Sequence, residues 1–225
     1  MKKFIAIAGN IGAGKSTLVT MLAVRLGWRP FYEPVTQNPY LEDFYEDMHT
    51  WGFHSQVYFL IHRIRTHQEL TGHATSAIQD RSVYEDAEVF ARNLYHQGFI
   101  QERDFGTYWE LYRVLTAFLP PPDLVIYLRA SVPALLNHIA QRGRPYERQI
   151  TTDYLSQLNE LYEKWVSGFN LCPLLIIPAD DLDFVDNTTH FELIVKKVEE
   201  KLTGKDVVIV SPDDVHMIDS CLNDH

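Results

Sequence analysis

Cysteine is scarce in this sequence, with only Cys172 and Cys221 among 225 residues. They lie far apart and outside any metal-like spacing, so neither a disulfide framework nor a zinc site can be built from them, and the pattern fits a reducing compartment. Long apolar runs are missing as well: no stretch approaches the roughly 20 residues that a membrane helix needs. Positive charge is in deficit. With 20 Lys and Arg against 30 Asp and Glu the formal net charge is −10, which excludes a groove that grips a nucleic-acid backbone through clustered basic side chains. The substrate is expected to be small. The ten histidines follow no H-E-x-x-H or Cys/His ligand spacing, and there is no internal repeat or low-complexity tract. Asp104-Phe105-Gly106 spells a protein-kinase tripeptide, but neither an H-R-D loop nor a strand lysine accompanies it, so chance accounts for it.

What is present is enough to fold. A hydrophobic fraction of 46% with 12% aromatics buries a sizeable core without staples, and one domain is the default. Met1-Lys2-Lys3 followed by Phe4 to Ala8 is too short for a signal peptide and is read as a first strand, with the protein expected in the cytoplasm. Strand-like runs fall at 4–8, around 28–32, and at 75–79, 124–128 and 174–177. Longer helical patterns separate them, which predicts an α/β fold with a central parallel sheet of about five strands flanked by helices.

Leu18, Leu22 and Leu26 mark the core stripe of a helix near the start. Phe53, Val57, Leu60 or Ile61, and Ile64 mark that of a helix of roughly 20 residues. Further helices are expected at 84–97, 104–118, 132–141, 152–166 and 187–202, with Ser131 capping the third and Pro133 inside its first turn. Pro120-Pro121-Pro122 ends the helix before it. A single domain over 1–204 is expected. Residues 205–225, which include the β-type run Val207-Val208-Ile209-Val210, form an extension of open role.

Gly9-Asn10-Ile11-Gly12-Ala13-Gly14-Lys15-Ser16, followed by Thr17, fits the pattern G-x-x-x-x-G-K-[ST] between an apolar strand and an amphipathic helix. Small residues let consecutive backbone N–H groups curl around phosphate oxygens, and the helix N-terminus adds partial positive charge. Lys15 reaches the β and γ phosphates, and the Ser16 hydroxyl is placed to ligate Mg²⁺. Such a loop names a nucleotide, not a reaction, because motors, switches and kinases all carry it.

The acceptor side is read from charged residues at strand ends. Pro34 forces Glu33 into an extended conformation after the second strand, and ligands of open parallel sheets sit beyond the carboxyl ends of the strands. Glu33 is therefore expected to border the phosphate loop as the base for an acceptor hydroxyl. An acceptor already bearing phosphate would be repelled. Asp80, ending the third strand, is a candidate for Mg²⁺ or its water, and Arg81 for charge neutralisation between Glu33 and the transferred group. Arg142-Gly143-Arg144 suits a mobile lid, about 142–150, that closes over phosphates. Three readings compete: a nucleoside kinase, a nucleoside monophosphate kinase, which Glu33 disfavours, and a nucleotide-binding switch. A GTPase switch would carry N-K-x-D, which does not occur.

In these motifs, and in Glu33-Pro34, Trp51 with Gln56, and Asp80-Arg81-Ser82, the chain resembles the deoxynucleoside kinase family, especially its bacterial deoxyguanosine and deoxyadenosine kinase branch. The motifs run in the family's order over about 200 residues. The resemblance implies a P-loop kinase fold and transfer of the γ-phosphoryl of ATP, with Mg²⁺, to a deoxynucleoside 5′-hydroxyl in nucleotide salvage. It also implies a homodimer. Glu33 would be the general base with Arg81 beside it, and Gln56 would pair with the base edge. Trp51 and Phe90 would wall the base pocket, and Tyr45 and Glu147 would recognise the 3′-hydroxyl. Arg63 and Asp86 match a charged pair that favours purines or deoxycytidine over thymidine. Asp183 and Phe184, in the stretch after the last core strand, match a loop near the adenine of ATP. Ser55 departs from the pattern, standing where relatives carry a bulky apolar residue, and is expected to leave the pocket roomier or wetter on that side.

Overall fold

The computed structural model describes residues 2–33 and 37–204. Pro34 and Val35, the run Val207 to Val210 and Cys221 therefore lie outside the described residues. Five strands form one parallel sheet: β1 (Phe4–Gly9), β2 (Arg29–Phe31), β3 (Ala77–Asp80), β4 (Leu124–Arg129) and β5 (Leu174–Pro178), in the spatial order β2-β3-β1-β4-β5. The short, almost uniformly apolar sequences of β1, β4 and β5 suit strands covered on both faces. Ile5, Ala6, Ile7 and Ala8 are fully buried.

Alternation along β1 sorts these side chains to the two sides of the sheet. Ile5 and Ile7 join Leu18 and Leu22 of α1 (Lys15–Leu26), Leu135 and Ile139 of α7 (Val132–Arg142), and Ile194 and Val198 of α9 (Thr188–Leu202). Phe4, Ala6 and Ala8 instead join Leu70, on α3 (Met48–Gly72), and Val125, with Trp165 of α8 (Thr152–Gly168) and Phe169 packed beside them. Each large aliphatic side chain so buried stabilises the fold by about 1.5–3 kcal/mol.

The connections of β1 and β3 leave in opposite directions, one toward β2 and the other over β1 to β4. The chain thus opens a crevice at the carboxyl ends of these two adjacent strands, the usual ligand position in such sheets. Ile7 is in register with Asp80, so the loop leaving β1 and the residues ending β3 meet there.

Two helices differ from the sequence pattern in ways that matter for the crevice. On α3, which follows a short α2 (Leu41–Glu46), Leu60 is buried and Ile61 is 40% exposed, which settles the periodicity in favour of Leu60. Asp47 caps α3 by accepting from His49 and Thr50 N–H groups, a contribution of about 1 kcal/mol. The buried face of α3 also carries Ser55, Gln56, Arg63 and His67, so the same stripe that packs the core presents polar groups.

The uninterrupted helix expected over 84–97 is instead a turn of α4 (Val83–Glu85), a π-helical segment (Asp86–Ala91) and α5 (Arg92–His96). Hydrophobic periodicity does not distinguish a π turn, which is a frequent feature of functional sites. The α6 helix (Glu102–Thr116) and a 3₁₀ segment (Pro145–Gln149) complete the elements used below. Ser131 caps α7 by accepting from Ala134 N–H, and Pro133 sits in its first turn.

Candidate active site

The phosphate loop leaves β1 at Gly9 and enters α1 at Lys15. Gly12 has φ +86°, and a Cβ there would lie 2.8 Å from the carbonyl oxygen of Leu135. Only glycine combines that left-handed backbone with so close an approach to α7. The leading N–H groups of α1 have no intrahelical carbonyl partner and receive no side-chain cap from Gly14, which leaves them available to an anion.

Members of this loop do different work. The Asn10 side chain turns to α8, donating to Leu155 O at 3.0 Å and Asn159 Oδ1 at 2.8 Å, while its Oδ1 accepts from Ile11 N–H. Gly9 N–H is committed to Glu85 Oε2 at 3.2 Å. Lys15 is buried, its Nζ donating to Asn10 O at 2.8 Å. Burial, and then the nearby Arg81 cation, lower its pKa to about 8. Nearby carboxylates, Asp80 first, oppose that shift, and bound phosphate would add to their countercharge.

Ser16 Oγ donates to Asp80 Oδ2, while Asp80 Oδ1 is buried without a partner. A hydroxyl and an unsatisfied carboxylate oxygen side by side fit a hard divalent cation. No group of three or more His, Cys, Asp or Glu among the described residues forms a metal cage. Such a donor set suits Mg²⁺ carried in with nucleotide phosphates.

Beside Asp80, Arg81 has φ +68°, the one non-glycine residue with positive φ among the described residues. A left-handed arginine costs on the order of 1–3 kcal/mol. It persists because Arg81 N–H continues the ladder to Ile7 O at 2.9 Å and its guanidinium is held on several sides. Arg81 Nε donates to Glu33 Oε2 at 3.2 Å, Nη1 donates to Tyr162 OH at 3.0 Å, and the group lies 4.3 Å from the centre of the Phe90 ring.

Arg63 lies on the other side of Glu33. Its Nη2 donates to Glu33 Oε1, and its Nε donates to Asp86 Oδ2 at 2.5 Å. Desolvation pushes the Glu33 pKa upward, but the fields of Arg63, Arg81 and Lys15 outweigh it and hold the carboxyl at about 2. Glu33 is therefore ionised throughout the neutral range. Asp86, more deeply buried, is pushed upward by desolvation against the opposing pull of Arg63.

Apart from Arg63, these residues border a cavity of about 300 Å³. Glu33, Tyr45, Gln56, Asp80, Arg81, Asp86, Phe90 and Glu147 all line it. Gln56 is buried with its Oε1 unpartnered, and an amide oxygen so placed is ready for a ligand donor. Tyr45 stacks on Tyr146, with ring centres 5.9 Å apart. A second cavity of about 750 Å³ lies over the phosphate loop, lined by residues 12–17 together with Asp183 and Phe184. Gly12, Lys15, Ser16, Arg142 and Arg144 line both cavities.

Several residues sit differently from what the resemblance implied. Trp51 does not line the cavity; it is half-buried and stacks on Tyr40, with ring centres 5.7 Å apart. Arg63 lies behind the wall and touches the two lining carboxylates. Ser55 does not widen the pocket, because it is fully buried and accepts from Asn38 Nδ2 at 3.0 Å, tying the segment before α2 to α3. Arg142 and Arg144 are engaged with Glu147, which takes Arg142 Nη2 at 2.8 Å and Arg144 Nη1 at 3.4 Å. Asp183 Oδ1 accepts from Val185 and Asp186 N–H groups, so its carboxylate closes a turn, while Phe184 is buried against the loop at Gly14.

Glu85, Tyr154 and Tyr162 were not anticipated. Tyr154 lines the 300 Å³ cavity beside Glu33, and Glu85 and Tyr162 are fully buried beneath Arg81. The one sequence signal was the capping box Ser82-Val83-Tyr84-Glu85, in which Ser82 and Glu85 bond each other's backbone N–H groups. That box marks a helix start and says nothing of burial.

In sequence and in fold the chain is similar to known proteins. The model of the deoxynucleoside kinase family matches residues 5–203. The deoxyadenosine/deoxycytidine kinase of Bacillus subtilis is 40% identical over 196 residues, spanning 86% of this chain and 90% of that protein. The deoxyguanosine kinase of the same organism is 36% identical, spanning 88% and 96%. Among solved structures, deoxyadenosine kinase from M. mycoides with bound dCTP superimposes with a TM-score of 0.76 at 34% identity, covering 88% of this chain and 99% of that one. The same kinase with bound dATP gives a TM-score of 0.77.

Proposed function

The chain belongs to the deoxynucleoside kinase family, and from that premise we propose that it phosphorylates the 5′-hydroxyl of a purine deoxynucleoside, or of deoxycytidine, using ATP and Mg²⁺ in nucleotide salvage. The observation that carries this assignment is the pair of cavities joined at Lys15, Ser16, Arg142 and Arg144. A donor nucleotide over the phosphate loop and an acceptor beside Glu33 would then meet at those four side chains.

In this reading the acceptor hydroxyl donates to Glu33, which stays anionic between its two arginines. A carboxylate held at about 2 is a weak base in the ground state, so Glu33 orients the hydroxyl first. It takes the proton late, as the loose transition state of phosphoryl transfer acidifies it. Arg81 balances charge between Glu33 and the transferred group. Lys15 and the leading N–H groups of α1 hold the β and γ phosphates. Ser16 and Asp80 would hold Mg²⁺, whose contribution is to bridge and neutralise phosphate oxygens. Arg142 and Arg144 would leave Glu147 to close over the phosphates, freeing that carboxylate for the sugar 3′-hydroxyl together with Tyr45.

Gln56 would read the base edge, Phe90 would stack on it, and Asp86 with Arg63 behind it would favour bases with an exocyclic amine. The relatives named for deoxyadenosine, deoxyguanosine and deoxycytidine support that class. Phe184, which lines the cavity over the phosphate loop, would pack beside the adenine of the donor.

The same proposal includes a homodimer. Leu111 and Val114 of α6, with Phe118 just beyond it and Ile61 of α3, are exposed apolar side chains, and Phe118 is 82% exposed. A second copy would cover such a face. No helix among the described residues is long and apolar enough to cross a membrane; a cytoplasmic location is our reading from cysteine usage.

A panel assay tests the assignment: ATP with the four deoxynucleosides and with their monophosphates, following ADP. Turnover is expected with a purine deoxynucleoside. Turnover confined to monophosphates would transfer the chain to the monophosphate kinases, and none with any deoxynucleoside would remove the activity altogether.

A further inference from the structure

We propose that Glu85 is a neutral carboxylic acid in the folded protein, donating a hydrogen bond to the Tyr162 oxygen, and that this acid is the positioning residue for Arg81 and for the first residue of the phosphate loop. The protonation state follows from counting protons. Tyr162 OH lies 2.6 Å from Glu85 Oε2 and 2.8 Å from Gly9 O, and it receives Arg81 Nη1 at 3.0 Å. A phenol has one proton. Gly9 O is a carbonyl and can only accept, so the Tyr162 proton belongs to that contact. The 2.6 Å contact then needs a second proton, and Glu85 is the only group able to supply it. With Glu85 ionised, two oxygens at hydrogen-bond distance from the phenol would compete for a single hydrogen.

The remaining contacts of Glu85 are those of an acid with its other lone pairs in use. Oε1 accepts from Ser82 N–H at 2.7 Å, and Oε2 accepts from Gly9 N–H at 3.2 Å and, at the longer distance of 3.5 Å, from Arg81 Nη1. The residue is fully buried, and burying a charge requires compensation that a neutral acid does not. Burial pushes its pKa up, against the opposing fields of Arg81 and Lys15.

Chemically, the neutral form changes what Arg81 has to offer. An anionic Glu85 would compete with Glu33 for the Arg81 cation, since Arg81 Nη1 lies 3.5 Å from Glu85 and Arg81 Nε 3.2 Å from Glu33. A neutral acid and phenol fix the guanidinium by hydrogen bonds while leaving its charge for Glu33 and the transferred group. The same pair grips both backbone polar groups of Gly9, so the chain couples the arginine after β3 to the loop after β1. A carboxylic acid kept neutral to act as a donor is an established use of burial. The protonation state is independent of which nucleoside is phosphorylated; the consequence for Arg81 rests on the kinase assignment above.

The test is infrared difference spectroscopy of the full chain at neutral pH, wild type minus Glu85→Gln. The expected result is a protonated-carboxyl carbonyl band in the wild type that shifts with ¹³C-glutamate labelling and is missing from the variant. Carboxylate bands alone would overturn the proposal. Should Glu85→Gln fail to fold, Tyr162→Phe serves instead. Removing the acceptor of the acid's proton moves the labelled carbonyl band, and kcat is expected to fall on the order of ten-fold through loss of a buried partner. A labelled spectrum without that band, or a band that stays in place in Tyr162→Phe, would equally overturn it.

Discussion

Glu33 and Asp86 are held by one guanidinium: Arg63 donates from Nη2 to Glu33 and from Nε to Asp86. The carboxylate proposed to orient the acceptor hydroxyl and the one proposed to face the base are therefore electrostatically coupled. Removing Arg63 alone, as in Arg63→Met, leaves two buried carboxylates short of a partner and is expected to destabilise the fold by about 3–5 kcal/mol. Arg63→Met combined with Asp86→Asn should recover part of that loss, because the burial penalty is removed together with the charge. Thermal unfolding of the single and double variants checks the first point. The deoxynucleoside panel checks the second consequence, a shift of the double variant toward thymidine; an unchanged ranking would refute this selectivity argument.

Glu33→Gln is expected to retain ATP binding while kcat falls by roughly 10²–10⁴-fold. The amide is isosteric but cannot receive the hydroxyl proton. Steady-state kinetics with a nucleotide-binding measurement separate the two effects, and a rate close to wild type would remove Glu33 from the role.

Acid stability should report Glu33 as well. Its folded pKa of about 2 lies below the ordinary 4.5, so its contribution is present above about pH 4.5 and is lost as pH falls toward 2. The difference corresponds to roughly 3 kcal/mol. Urea unfolding across that window should show a steep decline in the wild type and a flatter one in Glu33→Gln.

Arg81→Lys keeps the positive charge and loses the planar fork that reaches Glu33 and Tyr162 together. A fall in kcat of about 10²–10³-fold is expected. The KM for ATP should move far less, since the phosphate loop keeps its own contacts. Equal changes in both parameters would place Arg81 in ground-state binding.

The apolar patch around Phe118 gives a prediction about assembly. Phe118→Asp together with Val114→Asp should convert a dimer to a monomer in analytical ultracentrifugation, since both side chains are exposed in the isolated chain. A wild type that sediments as a monomer would refute the homodimer.

The strand, glycine loop and helix of the proposed donor half were legible because their pattern is local. Strand, glycine loop, Lys15 and helix follow one another in the chain, and the positive φ at position 12 is met by the glycine itself. The five-strand parallel sheet was legible for a similar reason, since short apolar runs alternating with amphipathic helices leave few ways to bury both faces. Tertiary structure alone decided the rest. It turned Ser55 to Asn38 instead of the pocket, put Trp51 outside the cavity and Arg63 behind it, and broke the helix at 84–97 with a π turn that carries Asp86 and Phe90. It also brought Tyr162 of α8 under Arg81 and buried Glu85 between them. Hydrogen bonding and desolvation among residues far apart in sequence depend on where helices dock, and periodicity reports only that one face of each helix is buried.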